Sequence, residues 1–421
     1  MSGSNIVNQS GVYGTQGTGA ASNVPGGRYG AVSWIDASGN FWLFGGIAAS
    51  SPSTDNYFND LWKYSAGQWT WMSGSSNYNQ AGIYGTQGTA APTNTPGARF
   101  SEVGWKDATG NFWLFGGLGL DSNGSSEFLN DLWKYSAGQW EWVGGSSVAL
   151  QNLAGMYGTQ GVPSPSNIPG PRESAVSWTD SSGNFWLFGG VGNDSTGSLG
   201  NLNDLWKYSA GEWTWMSGSK FVNQPSTFGT QGTPSAGNTP GARYEAVGWT
   251  DATGNLWLFG GASGLATFSP LNDLWKYSSG EWTWVGGSNI PNQSGSYGAL
   301  GVASTGNFAG ARVAAATWTD AAGNFWLFGG DGYDSAGGVG VLSDLWKYSN
   351  GQWIWIGGPD VSAQAGVYGI QGTPSASNVP GARLSPASWI DRSGNLWLFV
   401  GMGEDSTGTL GYLNDLWKYE P

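Results

Sequence analysis

The sequence predicts an all-β chain folded as a six-bladed β-propeller of four-stranded antiparallel blades, and three observations carry that expectation. One text recurs six times. The segment 243–284, RYEAVGWTDATGNLWLFGGASGLATFSPLNDLWKYSSGEWTW, has counterparts beginning at Arg28, Arg99, Arg172, Arg312 and Arg383, so the six starts lie 71, 73, 71, 69 and 71 residues apart. Each copy holds short aromatic and β-branched runs (here RYEAVGW, NLWLFGG, DLWKY and EWTW) separated by turn residues, which is the pattern of strands joined by hairpins. All 28 Trp stand at repeat positions, as expected where each unit buries its faces only against its neighbours.

The elements follow in order. Residues 1–27 read as a loop whose SGSN matches the text that follows W-x-W elsewhere, so the chain enters just after a fourth strand. The first strand of each unit begins with the repeated Arg and closes on Trp34 to Trp389. The tight turns DASG, DATG, DSSG, DATG, DAAG and DRSG follow, where Asp opens the turn and Gly accepts positive φ. The second strand is N-[FL]-W-L-F, the third D-L-W-K-Y, and a short S-x-G turn leads to a W-x-W fourth strand. The sixth unit stops at NDLWKYEP without W-x-W. That cut reads as a removed closing strand: the natural protein is expected to extend upstream, or a neighbouring chain completes the edge, with a three-stranded last blade as the alternative.

The 1–2 and 3–4 turns share one face of the disc, and the long 2–3 and 4–1 connections share the other. The 4–1 connection is 27 residues in four cases and 29 in one, 143–171. Its own repeated text, Y-G-T-Q-G then N-x-P-G-A-R, points to a folded layer packed over the disc rather than a free loop. The 2–3 connections, 47–58, 118–129, 191–202, 262–271, 331–342 and 402–413, vary most. Four carry D-S-x-G (Asp121, Asp194, Asp334, Asp405), read as Asx turns ahead of calcium sites because no D-x-D-x-D-G run accompanies them.

Composition narrows the function. The chain has 421 residues read as a single domain, with a net charge of −13 and no Cys or His. Acidity disfavours nucleic acid. Lack of Cys and His excludes disulfides, the usual zinc sites, imidazole-bound copper or iron, and Ser-His or Cys-His nucleophiles; no cofactor is expected. The first ten residues lack an apolar run, so no signal peptide is present here. No run approaches the roughly 18 apolar residues of a membrane helix, and no membrane insertion is expected.

The L-F-G-G closing strand two, the N-D-L-W-K-Y of strand three and the W-x-W of strand four resemble kelch repeats over essentially the whole chain. The resemblance implies radially packed four-stranded blades. Val400 stands where the sixth unit should have the first Gly, which argues against positive φ there. Galactose oxidase-like kelch proteins hold a copper radical site on Tyr, Cys and His, and a chain without Cys and His excludes that site. Sialic acid mutarotases are six-bladed kelch propellers that open a sugar ring by acid–base chemistry, and Glu102, Glu173 and Glu245 lie in first strands that line the channel. They stand at three registers after their Arg, so alternation points them to different faces.

Arg28, Arg99, Arg172, Arg243, Arg312 and Arg383 allow two readings: an anion-binding ring at the channel mouth, or pairing with a repeated Asp, either of N/S-D-L-W or of the 1–2 turn. The balance of twelve repeated cations and twelve repeated Asp favours pairing. Candidate ligand-binding aromatics are those off the repeat on the variable face: Tyr57, Phe58, Phe128, Phe268, Tyr333 and Tyr412. The expected function is a noncatalytic binding or scaffold module, taking a glycan or protein ligand on the 2–3/4–1 face, secreted or at the cell surface. The alternatives are a sugar mutarotase in the channel and a self-assembling subunit whose open sixth blade accepts a strand and forms a homo-oligomer.

Overall fold

The computed structural model describes residues 2–51, 54–265 and 267–421, with side chains described outside 49–54. Six antiparallel blades stand around a central axis. In the first, Val32–Ile35, Phe41–Phe44, Leu61–Ser65 and Gln68–Ser73 pair in that order from axis to rim. The register puts Trp34 beside Trp42 and Trp42 beside Lys63. Each inner strand packs against the next, and Val32–Ile35 meets Ala387–Ile390 of the sixth blade, so the ring closes.

Aromatic side chains from three strands join the blades. Trp34 stacks on Phe112 of the next blade at 5.2 Å, Trp105 on Phe185 at 5.3 Å and Trp249 on Phe325 at 5.2 Å, and Trp389 closes the circle on Phe41. From the outer strand, the first Trp of W-x-W reaches back to the preceding blade: Trp140 meets Phe44 and Trp69 meets Phe399. Such ring pairs add to the burial itself.

Beneath the packing lies a buried polar knot, repeated in every blade. Arg28 donates to both oxygens of Asp60, at 2.6 and 2.9 Å, and to the Gly45 and Gly26 carbonyls. Asp60 Oδ2 also accepts from the Trp62 indole and the Tyr13 hydroxyl, each at 2.7 Å. One carboxylate thus ties together the entry to strand one, the end of strand two, strand three and the 4–1 connection. The Asp of N/S-D-L-W is the partner; the turn residue Asp36 instead accepts from the Ser38 and Asn40 backbone, the Asn40 amide and the Trp42 indole. In blade four Phe228 replaces the Tyr, and the Arg243–Asp273 pair keeps its geometry without it.

Two expectations change. Val400 adopts φ +59, as the first Gly of the pair does elsewhere. The hydrogen bonds from Arg383 to its carbonyl and from Gly401 N–H to the Arg28 carbonyl hold the left-handed backbone against the β-branched side chain. The 4–1 connection lies along the blade rim, not over the disc. Before blades one to five it forms a hairpin on the outer strand of the blade it is about to enter, as where Gly17 and Ala20 donate to the Trp71 and Trp69 carbonyls. This covers the sheet edge that would otherwise be open. Finally, although blade six has three strands (Ala387–Ile390, Leu396–Phe399, Leu416–Tyr419), the first residues do reach it. Ser2 pairs with Leu416 as Ser73 pairs with Leu61, and Asn8 pairs with Tyr412.

The knot predicts unequal costs for two substitutions in blade three. Asp204→Ala leaves Arg172 buried and uncompensated and should cost about 3–5 kcal/mol. Tyr157→Phe, which copies blade four, should cost only about 0.5–1.5 kcal/mol. Denaturant unfolding of both variants measures the difference.

Candidate functional site

The six 2–3 connections build a second layer on one face of the ring. Most are small hairpins paired to the segment that carries the repeated Arg, such as Leu118–Leu120 between Arg99–Phe100 and Ser126–Phe128. Cross-strand register aligns three residues per blade: Tyr29–Ile47–Tyr57, Phe100–Leu118–Phe128, Glu173–Val191–Asn201, Tyr244–Ala262–Pro270, Val313–Asp331–Val341 and Leu384–Met402–Tyr412. The frame is six-fold and its chemistry is not.

A collar of main chain closes this layer toward the axis. The residue two after each Arg has positive φ: Gly30, Ser101, Ser174, Glu245, Ala314 and Ser385. Each donates its N–H to the carbonyl of its counterpart in the preceding blade, from Ser101 to Gly30 at 2.7 Å round to Gly30 and Ser385 at 3.4 Å. Five of these six residues have a Cβ, and φ near +50° costs such residues roughly 1–3 kcal/mol each. The cyclic hydrogen bonds hold them there.

Above the collar, blades six, one and two present aromatic faces. Tyr412 stacks on Tyr29 at 5.5 Å and 12°, Tyr29 meets Phe100 edge-on at 5.9 Å, and Tyr57 stacks on Phe100 at 5.6 Å and 11°. Blades three, four and five present carboxyls: Glu173, Glu245 and Asp331. Burial among protein atoms raises Glu173 to about 8, with the Glu245 charge adding to it, and raises Glu245 to about 7, with Asp331 adding. Asp331 is raised by burial too. The Tyr29 hydroxyl is raised by burial and by the charges of Tyr412, Glu245 and Glu173. Aromatic arc and carboxyl arc therefore face one shared space, a cup over the collar. By exposed surface Glu173 and Glu245 are half-buried, and Glu173 Oε2 is buried without a hydrogen-bond partner.

Glu102 lies apart. Its side chain turns into the seam with blade one, near Gly45, where it is 7% exposed and neither oxygen has a donor in hydrogen-bond geometry. Burial raises it to about 8 although the Val32 N–H and Arg99 lie near enough to favour its charge. The register argument holds for Glu102. For Glu173 and Glu245 it is overturned, because the left-handed collar residue interrupts strand alternation and lets consecutive registers share one space.

The other sequence candidates divide. Arg28, Arg99, Arg172, Arg243, Arg312 and Arg383 are 0–1% exposed, each bound to its Asp, and present no charge to either mouth. Phe58 is 3% exposed and lies 3.7 Å over the Arg28 guanidinium, a packing role. Tyr57 is 5% exposed and packs with Ile47, Leu120 and Phe100, a packing role, whereas Tyr412 is half-buried and ends the aromatic arc. Phe128 and Tyr333 are half-buried on their hairpins, and Phe268 is exposed on the 2–3 connection of blade four. Asp121, Asp194, Asp334 and Asp405 form Asx turns whose second oxygen accepts a 4–1 N–H, as from Ala149 to Asp121. Sequence reasoning missed Tyr29, Phe100 and Asp331. For Tyr29 and Phe100 the signal was present: Tyr, Phe, Glu, Tyr, Val and Leu follow the six Arg, the least repeated position in a repeated strand.

Below the collar the axis opens into a cavity of about 480 Å³, lined by Trp34, Trp105, Trp178, Trp249 and Trp318 together with small residues such as Ser33, Ser177, Thr317 and Thr319, and with Lys106. Its walls repeat from blade to blade and carry no carboxyl, which makes the cup the better candidate.

No family model matches the chain, and no curated protein matches it. Among solved structures it is similar to that of YjhT, with a TM-score of 0.54 and 11% identity over 94% of this chain and 95% of that one. It is also similar to a protein of unknown function from Dyadobacter fermentans (TM-score 0.49, 8% identity, 93% and 94% covered). A fungal alcohol oxidase in complex with copper gives a TM-score of 0.47 and 13% identity, with 96% and 76% covered. At these identities the likeness to YjhT is one of fold. The chain is a β-propeller.

The buried carboxyls set a pH dependence. Glu102 titrates at about 8 when folded against 4.5 as a free side chain, so between those values the folded state holds a proton that the unfolded chain has lost. Stability therefore falls as pH rises from about 4.5 to 8, by at most about 1.4 kcal/mol per pH unit for this group. Glu102→Gln should reduce that slope and unfold at higher denaturant than wild type at pH 8. Equal slopes in the two proteins would mean that Glu102 is charged in the fold.

Proposed function

We propose that this chain is a kelch-type propeller that binds carbohydrate in the cup, without catalysing a reaction. The kelch reading rests on the glycine pair with positive φ at the end of strand two (Gly45, Gly46) and on the Tyr and Trp fixed on strands three and four. The carbohydrate reading rests on one observation: an aromatic arc lies on the same face as Glu173 and Glu245, carboxyls whose burial raises their proton affinity. Sugar C–H faces stack on rings, and a protonated carboxyl both donates and accepts toward sugar hydroxyls. Because the repeated Arg are buried and paired, an anionic sugar would meet carboxyls with no cation to balance it. The chemistry therefore favours neutral or amino sugars. A secreted or cell-surface setting, where glycans are met, accompanies this reading.

A second reading is acid–base opening of a sugar ring. It is favoured by the Glu173–Glu245 pair, whose values of about 8 and 7 suit proton transfer near neutrality. Both readings use the same cup.

A glycan array, followed by calorimetric titration of the retained sugar, tests the binding. Tyr412→Ala and Glu245→Gln should each weaken it at least tenfold. No retained glycan, or unchanged affinity in both variants, would overturn the proposal. Exchange NMR between anomers of the bound sugar separates the second reading: acceleration lost in Glu245→Gln supports catalysis, and an unaltered exchange rate in wild type removes it.

A further inference from the structure

The two ends of the axis differ in chemistry. The cup collects carboxyls on the loop face. The cavity of about 480 Å³ below the collar is walled instead by the last three residues of the first strands of blades one to five, next to the 1–2 turns. The cyclic hydrogen bonds of the collar separate it from the cup, so it is a pit that opens on the turn face. Among the described residues no carboxyl lines it. At the position nearest the mouth the blades carry Ile35, Lys106, Thr179, Thr250 and Thr319, so blade two alone brings a charge. Lys106 lies outside the repeated cations and has no ion-pair partner among the described residues. Its neighbour Asp107 is engaged elsewhere, accepting from the Thr109 and Asn111 backbone, the Asn111 amide and the Trp113 indole.

The same seam holds a spare donor. The indole N–H groups of Trp105, Trp178, Trp249 and Trp318 each donate to a strand-two carbonyl of the following blade. That of Trp34, a residue only 5% exposed, has no acceptor. It faces Gly104, where a Cβ would lie 2.7 Å from Nε1, and both residues line the pit with Lys106. Around the rest of the wall, Ser177 and Thr250 donate to the Gly104 and Thr179 carbonyls, whereas the Ser33, Thr179, Thr317 and Thr319 hydroxyls make no hydrogen bond among the described residues. A cation, an unpaired N–H and free hydroxyls from blades one, three and five thus surround one axis with no carboxylate opposing them. An anion with oxygens pointing in several directions satisfies such a ring, because each oxygen meets a donor on a different blade.

We propose that the axial pit on the turn face binds a phosphate group, held by the Lys106 ammonium and by the Ser33, Thr179 and Thr317 hydroxyls around it. Lys106 supplies the point charge, and the hydroxyls donate to the remaining oxygens. The collar separates this site from the cup, so the inference does not depend on the sugar reading.

The probes are inorganic phosphate and glucose 6-phosphate, titrated by calorimetry into the full chain at neutral pH and constant ionic strength. Saturable binding is expected, about tenfold weaker in Lys106→Gln and several-fold weaker in Thr317→Val, which keeps the shape of the side chain and removes its hydroxyl. Lys106 is exposed at the end of its strand, so Lys106→Gln should keep the wild-type melting temperature. The Trp34 indole N–H resonance, assigned with Trp34→Phe, should shift as the pit fills. Arg392, the other cation outside the repeat on this face, donates to the Ala37 carbonyl, and Arg392→Gln should bind both probes as wild type does. Tighter binding of the ester assigns a phosphorylated small molecule, and equal or weaker binding of the ester assigns the free ion; both support the site. No saturable binding of either probe, wild-type affinity in Lys106→Gln, or equal weakening in Arg392→Gln would overturn the proposal.

Discussion

The architecture depends on a buried carboxylate that serves four partners. Asp60 and its five counterparts each accept two bonds from an Arg and one from a Trp, and in five of the six also one from a Tyr. A charge with so little exposure is tolerable only when paired and fully hydrogen-bonded. That requirement fixes where each blade begins, where its second strand ends and where the 4–1 hairpin lies. The aromatic seams then pack blades whose geometry the knot has already set. It also removes the repeated cations from function: the six Arg hold the frame and contribute nothing to the charge of either mouth.

Once the frame is held identically six times, function resides where the repetition fails. The positions following the Arg lie outside the knot, so their side chains vary freely, and the collar places them around one space. Three aromatic residues on consecutive blades and three carboxyls on the next three make a cup with two chemically distinct sides. The left-handed collar residues matter to this arrangement. They break the alternation of the strand, so that Glu245, one register away from Glu173, raises the proton affinity of Glu173.

Much of this was legible in the sequence, and for physical reasons. A period of about 71 residues, hairpin turn chemistry and Trp in every strand specify stacked four-stranded blades. The count of repeated Asp against repeated cations pointed to internal pairing, but choosing between two Asp families needed the fold, because both lie within reach of the Arg in sequence terms. Val400 and Glu245 were misjudged for one reason. Backbone conformation there is imposed by hydrogen bonds from other blades, which no local propensity reports. Tyr29 and Phe100 were overlooked because attention went to the long loops, whereas their signal was variation inside an otherwise constant strand; Asp331 lies in a 2–3 loop, where only aromatic residues had been singled out.

The central claim is that burial raises the proton affinity of Glu173 and Glu245 opposite an aromatic arc. Carbon-13 NMR of labelled Glu side chains, titrated from pH 4 to 9 and assigned with single Gln variants, tests it most directly. The account predicts midpoints of about 8 for Glu173 and about 7 for Glu245, with the Glu173 midpoint falling when Glu245 is replaced. Midpoints near 4.5 for both would show two solvated, independent carboxylates and contradict it.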